Sequence, residues 1–294
     1  VLQQGFASIE GSRRRRSSRG ASGNVSQTMN NILFGPKEMN AMPVPQVVVG
    51  DDDRERILHT QVSPFQSVCA LDLYFAGENN GNPLAGTGAL VSPNVVLTCA
   101  HNIYAHDYKK QAVKVTAAPG QAALNSKPFG DIHAAKMVMA NGFRDTENGE
   151  VELDYAALIL DTPIGNEAGY FGILEPTKEQ LSRHKIHLTG YPSLVDVEWG
   201  TAKGMMHDAA GFKDLKDSVI QHYADASPGN SGSPLYFYES NNPDLDPSIV
   251  GVHSGGALSQ QYNHGAALVG EIFDDVLNWI EMGKAYLDEQ EGNA

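Results

Sequence analysis

A serine set among glycines lies in residues 225–234, which read Asp-Ala-Ser-Pro-Gly-Asn-Ser-Gly-Ser-Pro. Ser231 stands between Gly229 and Gly232, and a nucleophilic hydroxyl needs the room that flanking glycines leave. Glycines also let the backbone direct N–H groups towards a developing oxyanion, and the candidates are the N–H groups of Gly229 and Ser231. The alternative is an ordinary tight turn, because glycine and serine are common in turns. The stretch is therefore a candidate nucleophile loop.

Two other stretches supply the groups that activate a serine. Residues 95–101 form an apolar run that ends at His101, and Asp154 opens the apolar run 154–160. In such a set Ser231 attacks a carbonyl carbon, and His101 removes the serine proton and later gives it to the leaving amine. Asp154 fixes the tautomer of the imidazole and stabilises the imidazolium. The chain order of these groups is His, Asp, Ser.

Together the three stretches resemble the trypsin-like serine peptidases. The resemblance rests on Thr-x-Ala-His ending at His101, Asp-x-Ala-x-x-x-Leu beginning at Asp154, and Gly-Asn-Ser-Gly-Ser-Pro around Ser231. The Asn-Ser-Gly-Ser-Pro form is more similar to the glutamyl endopeptidase branch than to the digestive trypsins. The resemblance covers roughly residues 47–290 and implies a serine endopeptidase.

Short strands separated by turn signals fill the chain from residue 47 onwards. The 30 glycines, 15 prolines and 41% hydrophobic residues are typical of a loop-rich all-β protein. We predict strands at 67–75, 85–91, 94–98, 113–117, 132–139 and 154–160, a linker at about 161–183, further strands at 185–188, 195–203, 218–223, 232–238, 249–253 and 266–270, and a helix at about 271–287. The expected fold is all-β, with two six-stranded, chymotrypsin-like β-barrels and a C-terminal α-helix.

Four parts follow from this pattern: a leader or propeptide at 1–46, an N-terminal β-barrel at 47–175, a C-terminal β-barrel at 176–270, and a helix and tail at 271–294. Residues 1–46 are rich in Ser, Gly, Asn and Arg and lack apolar periodicity, so we expect them to be disordered. Arg13–Arg16 fits a processing site, with a phosphate-binding patch and a nuclear signal as alternatives. His101 and Asp154 would come from the first barrel and Ser231 from the second, with a cleft for an extended peptide between them.

The resemblance also implies residues that bind the side chain preceding the cleaved bond. His253 takes the position at which glutamyl endopeptidases contact an acidic side chain, and an imidazole is a suitable partner for a carboxylate. The alternative for His253 is a buried structural histidine at the end of a strand. His264 would line the floor of the pocket or cap a turn. The substrate main chain would pair with Ser254, Gly255 and Gly256.

Two positions leave the specificity open. Asp225 stands six residues before Ser231, where trypsins keep the acid that attracts Arg and Lys, and relatives that prefer Glu also have acidic residues there. Ala226 replaces a threonine that often helps to bind the carboxylate in the family. The leading hypothesis is cleavage after Glu, and less readily after Asp. The alternatives are trypsin-like cleavage after Arg or Lys through Asp225, and a non-catalytic binding protein, which the complete triad disfavours.

Asn230 predicts an unusual mode of activation. Trypsins have an aspartate directly before the nucleophile, where it pairs with the freed N-terminal ammonium, and an amide cannot form that ion pair. In glutamyl endopeptidases the mature N-terminus lies near the specificity pocket instead. Alignment of Asp53-Arg54 with the early Asp-Arg of the family places the mature start near Val47, which would then help to bind the substrate.

Charge and composition bound the remaining properties. The formal net charge is −14, and because residues 1–46 hold six basic and two acidic side chains, the remaining chain carries −18. This acidic charge argues against a nucleic-acid partner.

No apolar run reaches the roughly 18 residues of a membrane span, and no N-terminal signal sequence is evident. We expect a secreted monomer acting on polypeptides, with no cofactor and no metal ion. Cys69 and Cys99 are either a disulfide or two buried thiols.

Overall fold

The structure is a computed structural model that describes residues 47–147, 149–193, 204–239, 247–257 and 261–292. The predicted leader at 1–46 and the predicted strand at 195–203 lie outside the described residues. Within the described ranges, no helix is both long enough and apolar enough to cross a membrane.

The strands of the first half are β1 (Glu55–Arg56), β2 (Val68–Tyr74), β3 (Leu84–Leu90), β4 (Val95–Thr98), β5 (Tyr104–Ala105), β6 (Lys110–Gln111), β7 (Lys114–Pro119), β8 (Ile132–Met139) and β9 (Ala156–Leu160). A closed antiparallel barrel is formed by six of them in the order β2-β3-β4-β9-β8-β7. Strands β4 and β9 are buried along their whole length, which is why both read as continuous apolar runs in the sequence.

The strands of the second half are β10 (Gly172–Ile173), β11 (Lys185–Gly190), β12 (Met206–Lys216), β13 (Val219–His222), β14 (Pro234–Phe237), β15 (Ser248–Ala257) and β16 (Tyr262–Ala267). A second barrel runs β12-β11-β14-β15-β16-β13 and closes where β13 pairs with β12. Strand β1 adds to the edge of β12, so the segment before the first barrel is attached to the second barrel.

Three helices lie within the described residues: α1 (Gly165–Ala168), α2 (Lys178–Arg183) and α3 (Glu271–Gly292). Helix α3 packs on the first barrel at Gly283, where a Cβ atom would lie 2.4 Å from a methyl group of Val95. Two hydrogen bonds support this packing. The Asn94 amide donates to the Gly283 carbonyl at 3.0 Å, and the Tyr155 hydroxyl donates to Asp275 at 2.6 Å.

The predicted fold of two six-stranded barrels and a C-terminal helix is confirmed. Several details of the structure were not predicted. The predicted linker contains α1 and α2, the strand predicted at 266–270 is found at Tyr262–Ala267, and Met206–Lys216 was not predicted as a strand. Strand β12 is partly exposed over most of its length and contains Asp and Lys, so it lacks the apolar alternation that marks a strand.

Cys69 and Cys99 are both buried free thiols, so the disulfide alternative is wrong. The strand order explains why they do not meet. Cys69 lies in β2 and pairs with Gly88 of β3, whereas Cys99 follows β4 on the far side of β3.

Candidate active site

The His101–Asp154 pair is set by two neighbouring strands of the first barrel. Thr98 at the end of β4 is paired with Ala156 at the start of β9, so the residues just beyond these ends emerge at the same rim. His101 follows in a short turn, and its Nδ1 lies 2.6 Å from Oδ2 of Asp154. The His101 backbone N–H donates to the other carboxylate oxygen at 2.9 Å. The carboxylate therefore fixes both the ring and the backbone of His101.

The environment of His101 favours the charged imidazole. Burial acts to lower the pKa of His101, but the Asp154 carboxylate, through its charge and its hydrogen bond, raises that pKa well above its ordinary value. Only 10% of the His101 side chain is exposed, so water screens the pair weakly.

Ser231 is held beside this pair through its carbonyl oxygen. That oxygen accepts hydrogen bonds of 2.9 Å from the backbone N–H of Thr87 and from the side-chain amide of Asn102. Asn102 is the residue after His101, so one side chain links the nucleophile loop of the second barrel to the histidine turn of the first. Sequence analysis missed both Thr87 and Asn102. The position of Asn102 next to His101 was the one available signal.

The nucleophile loop requires its glycines. Gly229 has a φ of +100°, and a Cβ there would lie 2.4 Å from the backbone nitrogen of Ser193. Gly232 has a φ of +85°, and a Cβ there would lie 2.1 Å from the Thr87 carbonyl. Asn230 is fully buried between them, where its side-chain oxygen accepts the Ser227 N–H at 3.1 Å. No other residue type would fit either glycine position without displacing backbone atoms.

His253 lies against this loop from the side of the second barrel. Its carbonyl accepts the Gly232 N–H at 2.8 Å, and its own N–H donates to the Ser233 carbonyl at 2.9 Å. The imidazole is fully buried, with Nδ1 3.4 Å from Nε2 of His222. Its Nε2 is buried and has no hydrogen-bond partner within the described residues. Sequence analysis missed His222, which is 31 positions away.

Burial keeps this second group of histidines neutral. Burial lowers the pKa of His253 well below its ordinary value, and the neighbouring His222, His264 and His101 add to the effect. Burial likewise lowers the pKa of His222 to about 3. His264 is half-buried, and this partial burial lowers its pKa although the Asp154 charge acts in the opposite direction.

The residues after His253 are paired with a neighbouring strand on one side only. Ser254 to Gly256 continue β15, and Gly255 and Gly256 are paired with His264 and Asn263 of β16. On the other edge, the pairs with β14 end where Pro234 meets Val252. Within the described residues this edge of β15 is therefore available to another extended strand, next to the nucleophile loop.

Val47 is bound inside the second barrel. Its N–H donates to the side-chain oxygen of Asn263 at 3.0 Å, and its carbonyl accepts the Asn263 amide at 2.7 Å. The Ala226 N–H also donates to the Val47 carbonyl, at 3.2 Å, and only 6% of Val47 is exposed. Asn263 is paired with both Gly256 and His222, so Val47 lies close to the His253 site. Sequence analysis missed Asn263.

Asp225 holds the segment that follows Val47. One carboxylate oxygen accepts the Val49 N–H at 2.6 Å and the other accepts the Asp53 N–H at 3.1 Å. Burial raises the pKa of Asp225 in spite of these hydrogen bonds. Its neighbour Ala226 is fully buried. Both oxygens of the predicted specificity acid are therefore engaged by backbone groups of this chain.

Cys99 lies on the other side of His101 from Asp154. Its Sγ is 3.5 Å from the Nε2 of His101. Burial raises the pKa of Cys99, so the thiol form is favoured. Cys99, His101 and Asp154 each offer an atom that could ligate a metal ion, with these atoms within 4.8 Å of one another.

The sequence of this chain is similar to those of known peptidases. The profile of the family described as Trypsin matches residues 68–280. The glutamyl endopeptidase of Bacillus licheniformis is 29% identical over 234 residues, which is 79% of this chain and 68% of that protein. A protein of Bacillus subtilis named extracellular metalloprotease is 28% identical over 235 residues, which is 80% of this chain and 70% of that protein.

Solved structures show the same architecture. The structure of Glu endopeptidase in complex with MPD has a TM-score of 0.68 and 25% identity, over 80% of this chain and 100% of that chain. Protease Anisep from Arthrobacter nicotinovorans, at 13% identity, has a TM-score of 0.59 over 75% of this chain and 96% of its own, which shows the fold alone. Because the family profile covers most of the chain, this protein belongs to the trypsin family of serine endopeptidases, in its glutamyl endopeptidase branch.

Proposed function

We propose that this endopeptidase cleaves polypeptides after Glu, and less readily after Asp, through His101, Asp154 and Ser231. The observation that carries the specificity is the buried Nε2 of His253, which lacks a partner within the described residues. A buried ring nitrogen without a partner is costly, and a bound carboxylate would satisfy it in the tautomer that carries the proton on Nε2. The glutamyl endopeptidase relative supports the same specificity.

The proposed route of the proton follows from the hydrogen bonds of the His101 ring nitrogens. Asp154 occupies Nδ1 of His101, so Nε2 is the atom that accepts the proton of the Ser231 hydroxyl as the serine attacks the carbonyl carbon. The imidazolium that forms is stabilised by the carboxylate at 2.6 Å. The same proton then passes from Nε2 to the leaving amine. Water repeats the sequence on the acyl-enzyme and releases the product acid.

The substrate main chain has two binding surfaces in this proposal. The N–H groups of Gly229 and Ser231 stabilise the oxyanion, and the positive φ of Gly229 orients its peptide in a way other residues would not tolerate. The residues before the cleaved bond pair with Ser254, Gly255 and Gly256 along the open edge of β15. Backbone pairing of this kind accepts many substrate sequences. The pocket at His253 therefore selects the side chain that precedes the cleaved bond.

The buried histidines define how a carboxylate would be held. If the Nε2–H of His222 donates to Nδ1 of His253, the Nε2 of His253 carries a proton and donates to the substrate. The carboxylate then raises the pKa of His253 from its depressed value. His264 lines the same region, on the strand paired with Gly255. His222 is thus a positioning residue that selects the tautomer.

Cleavage after Arg or Lys is the weaker alternative. It requires the Asp225 carboxylate to face a substrate cation, but both of its oxygens accept hydrogen bonds from residues that follow Val47. Asp225 therefore contributes to substrate binding indirectly in our proposal, by holding the segment at Val47 against the pocket.

Activation follows from the position of Val47. Cleavage of a leader at 1–46 would convert the Val47 N–H, 3.0 Å from Asn263, into an ammonium near His253. That cation would attract the substrate carboxylate within an otherwise acidic body. The chain is proposed to act outside the cell as a monomer on polypeptide substrates, without a nucleic-acid or membrane partner. The Bacillus subtilis relative is named as extracellular.

A peptide panel tests the specificity. Fluorogenic peptides that differ only in the residue before the bond, namely Glu, Gln, Asp and Arg, are compared by kcat/KM. We expect Glu to exceed its uncharged isostere Gln by about 10²-fold or more, because a site built for a charged group leaves that group's partner unpaired when the charge is removed. A serine-directed reagent should abolish activity and a chelator should not. Preference for Arg would replace the proposal with the Asp225 alternative.

A further inference from the structure

Cys99 is a buried thiol at the catalytic histidine that the proposed reaction does not use. Its Sγ lies 3.5 Å from Nε2 of His101, the atom that must exchange protons with Ser231. The thiol is fully buried, so it is not accessible to a peptide carbonyl and does not serve as the nucleophile. It faces the one imidazole atom left open by Asp154.

The spacing of these two atoms suits a metal ion. Zinc binds thiolate sulfur at about 2.3 Å and imidazole nitrogen at about 2.0–2.1 Å with tetrahedral angles, which places the two ligand atoms about 3.5 Å apart. The observed separation is 3.5 Å. The opposite ring nitrogen already donates to Asp154, and a carboxylate in that position is the usual outer partner of a metal-bound histidine.

We propose that Cys99 and His101 form an inhibitory site for a thiophilic divalent cation such as Zn²⁺, with Asp154 as the outer carboxylate. Binding releases the thiol proton of Cys99 to solvent, and the cation takes the thiolate and the Nε2 lone pair as ligands. Water molecules complete the coordination from the cleft. The ion enters over the exposed edge of His101, whose side chain is 10% exposed.

The consequence for the reaction rests on the proposed function. An ion on Nε2 removes the atom that accepts the Ser231 proton, so a metal-loaded enzyme cannot start the acylation step. Hard cations such as Mg²⁺ and Ca²⁺ prefer oxygen ligands and should not compete for a sulfur–nitrogen pair. The site therefore inhibits selectively, and chelation restores activity.

The experiment compares the wild-type enzyme with Cys99→Ala, Cys99→Ser and the matched control Cys69→Ala. Cys69 is the other buried thiol and lies in β2, away from His101. Binding is measured with Co²⁺, whose thiolate charge-transfer absorption reports a sulfur ligand independently of activity. Inhibition is measured with Zn²⁺ on a Glu peptide, and each variant is normalised to its own metal-free rate.

We expect the Co²⁺ signal in the wild-type enzyme and in Cys69→Ala, and its loss in both Cys99 variants. Loss of even an outer-shell partner typically costs 10–100-fold in metal affinity, so loss of Cys99 should raise the apparent inhibition constant for Zn²⁺ at least about 10-fold. No thiolate signal in the wild-type enzyme, or equal inhibition of Cys99→Ala, would overturn the site. A thiolate signal without inhibition would show that the cation does not block Nε2 of His101 and would overturn the inhibitory role, whereas the serine-directed reagent tests the proposed function separately.

Discussion

Two buried imidazoles near the nucleophile loop have pKa values that are shifted in opposite directions. The pKa of His101 is raised because Asp154 outweighs the effect of burial, and the pKa of His253 is lowered because burial and neighbouring histidines act together. In the proposed mechanism His101 accepts a proton in its neutral form, and His253 meets the substrate carboxylate as a neutral imidazole. The difference between the two environments agrees with these two proposed roles.

The pH dependence of kcat/KM should report the first of these groups. His101 is active only when neutral, and its pKa is raised, so kcat/KM should increase with pH through a limb above the ordinary value of 6.5. Asp154→Asn removes the charge that raises this pKa, so the limb should move to lower pH while kcat falls by about 10⁴-fold. A wild-type limb well below 6.5 would contradict this assignment of the base.

Substitution of His253 should remove the selectivity for a charge. We expect His253→Ala to reduce kcat/KM for a Glu peptide by about 10²-fold or more and to change the rate for the Gln isostere much less. The exposed His59 provides the matched control, and His59→Ala should retain the wild-type Glu-to-Gln ratio. If His253→Ala also retains that ratio, the carboxylate is recognised elsewhere.

Catalytic candidates could be proposed from the sequence where the neighbouring residues mark them. His101 and Asp154 end or open apolar runs, and Ser231 lies among glycines, so local pattern was sufficient to propose all three. Their supporting partners were not predictable. Asn102 reaches the Ser231 carbonyl across 129 positions, and Asn263 reaches Val47 across 216 positions. Only the tertiary pairing of strands brings such residues together.

At the scale of elements, the chain around Val47 connects the start of the described structure to the second barrel. Asn263 binds Val47, Asp225 binds Val49 and Asp53, and β1 pairs with β12. All of these contacts lie on the barrel that holds His253. The segment is therefore built into the half of the molecule that holds His253.

Activation should depend on where this segment begins. We compare the 1–294 chain with chains that begin at Val47 and at Val49, each verified by mass spectrometry. The chain beginning at Val47 should be the most active on a Glu peptide, since only its ammonium lies beside Asn263 and near His253. The chain beginning at Val49 is the matched control, because its ammonium is moved towards Asp225. Equal rates for all three would eliminate the activation proposal and leave the triad untouched.

Strand prediction succeeded at the uniformly buried strands and failed at β12. Strands β4 and β9 are wholly buried and were predicted as apolar runs. Strand β12 alternates irregularly between partly exposed and exposed residues and is shifted in register by a bulge between Phe212 and Asp214. A bulge breaks the two-residue period on which strand recognition depends.

At the scale of the whole molecule, the site exists only because two barrels meet. The proposed base His101 and Asp154 belong to the first barrel, and the proposed nucleophile Ser231 belongs to the second with His253. Thr87 and Asn102 connect the two barrels at the Ser231 carbonyl. Each barrel closes on itself, and the part of β15 that follows Val252 is left unpaired on the side of β14.

The rate of Ser231→Ala on a Glu peptide tests most directly whether Ser231 is the nucleophile. Triad residues act as a unit, so we expect kcat to fall by on the order of 10⁶ while the circular dichroism spectrum and thermal midpoint stay close to wild type. Ser182→Ala, at an exposed position on α2, should retain the full rate. Substantial activity of Ser231→Ala in a preparation free of contaminating peptidase would contradict the assignment of Ser231 as the nucleophile.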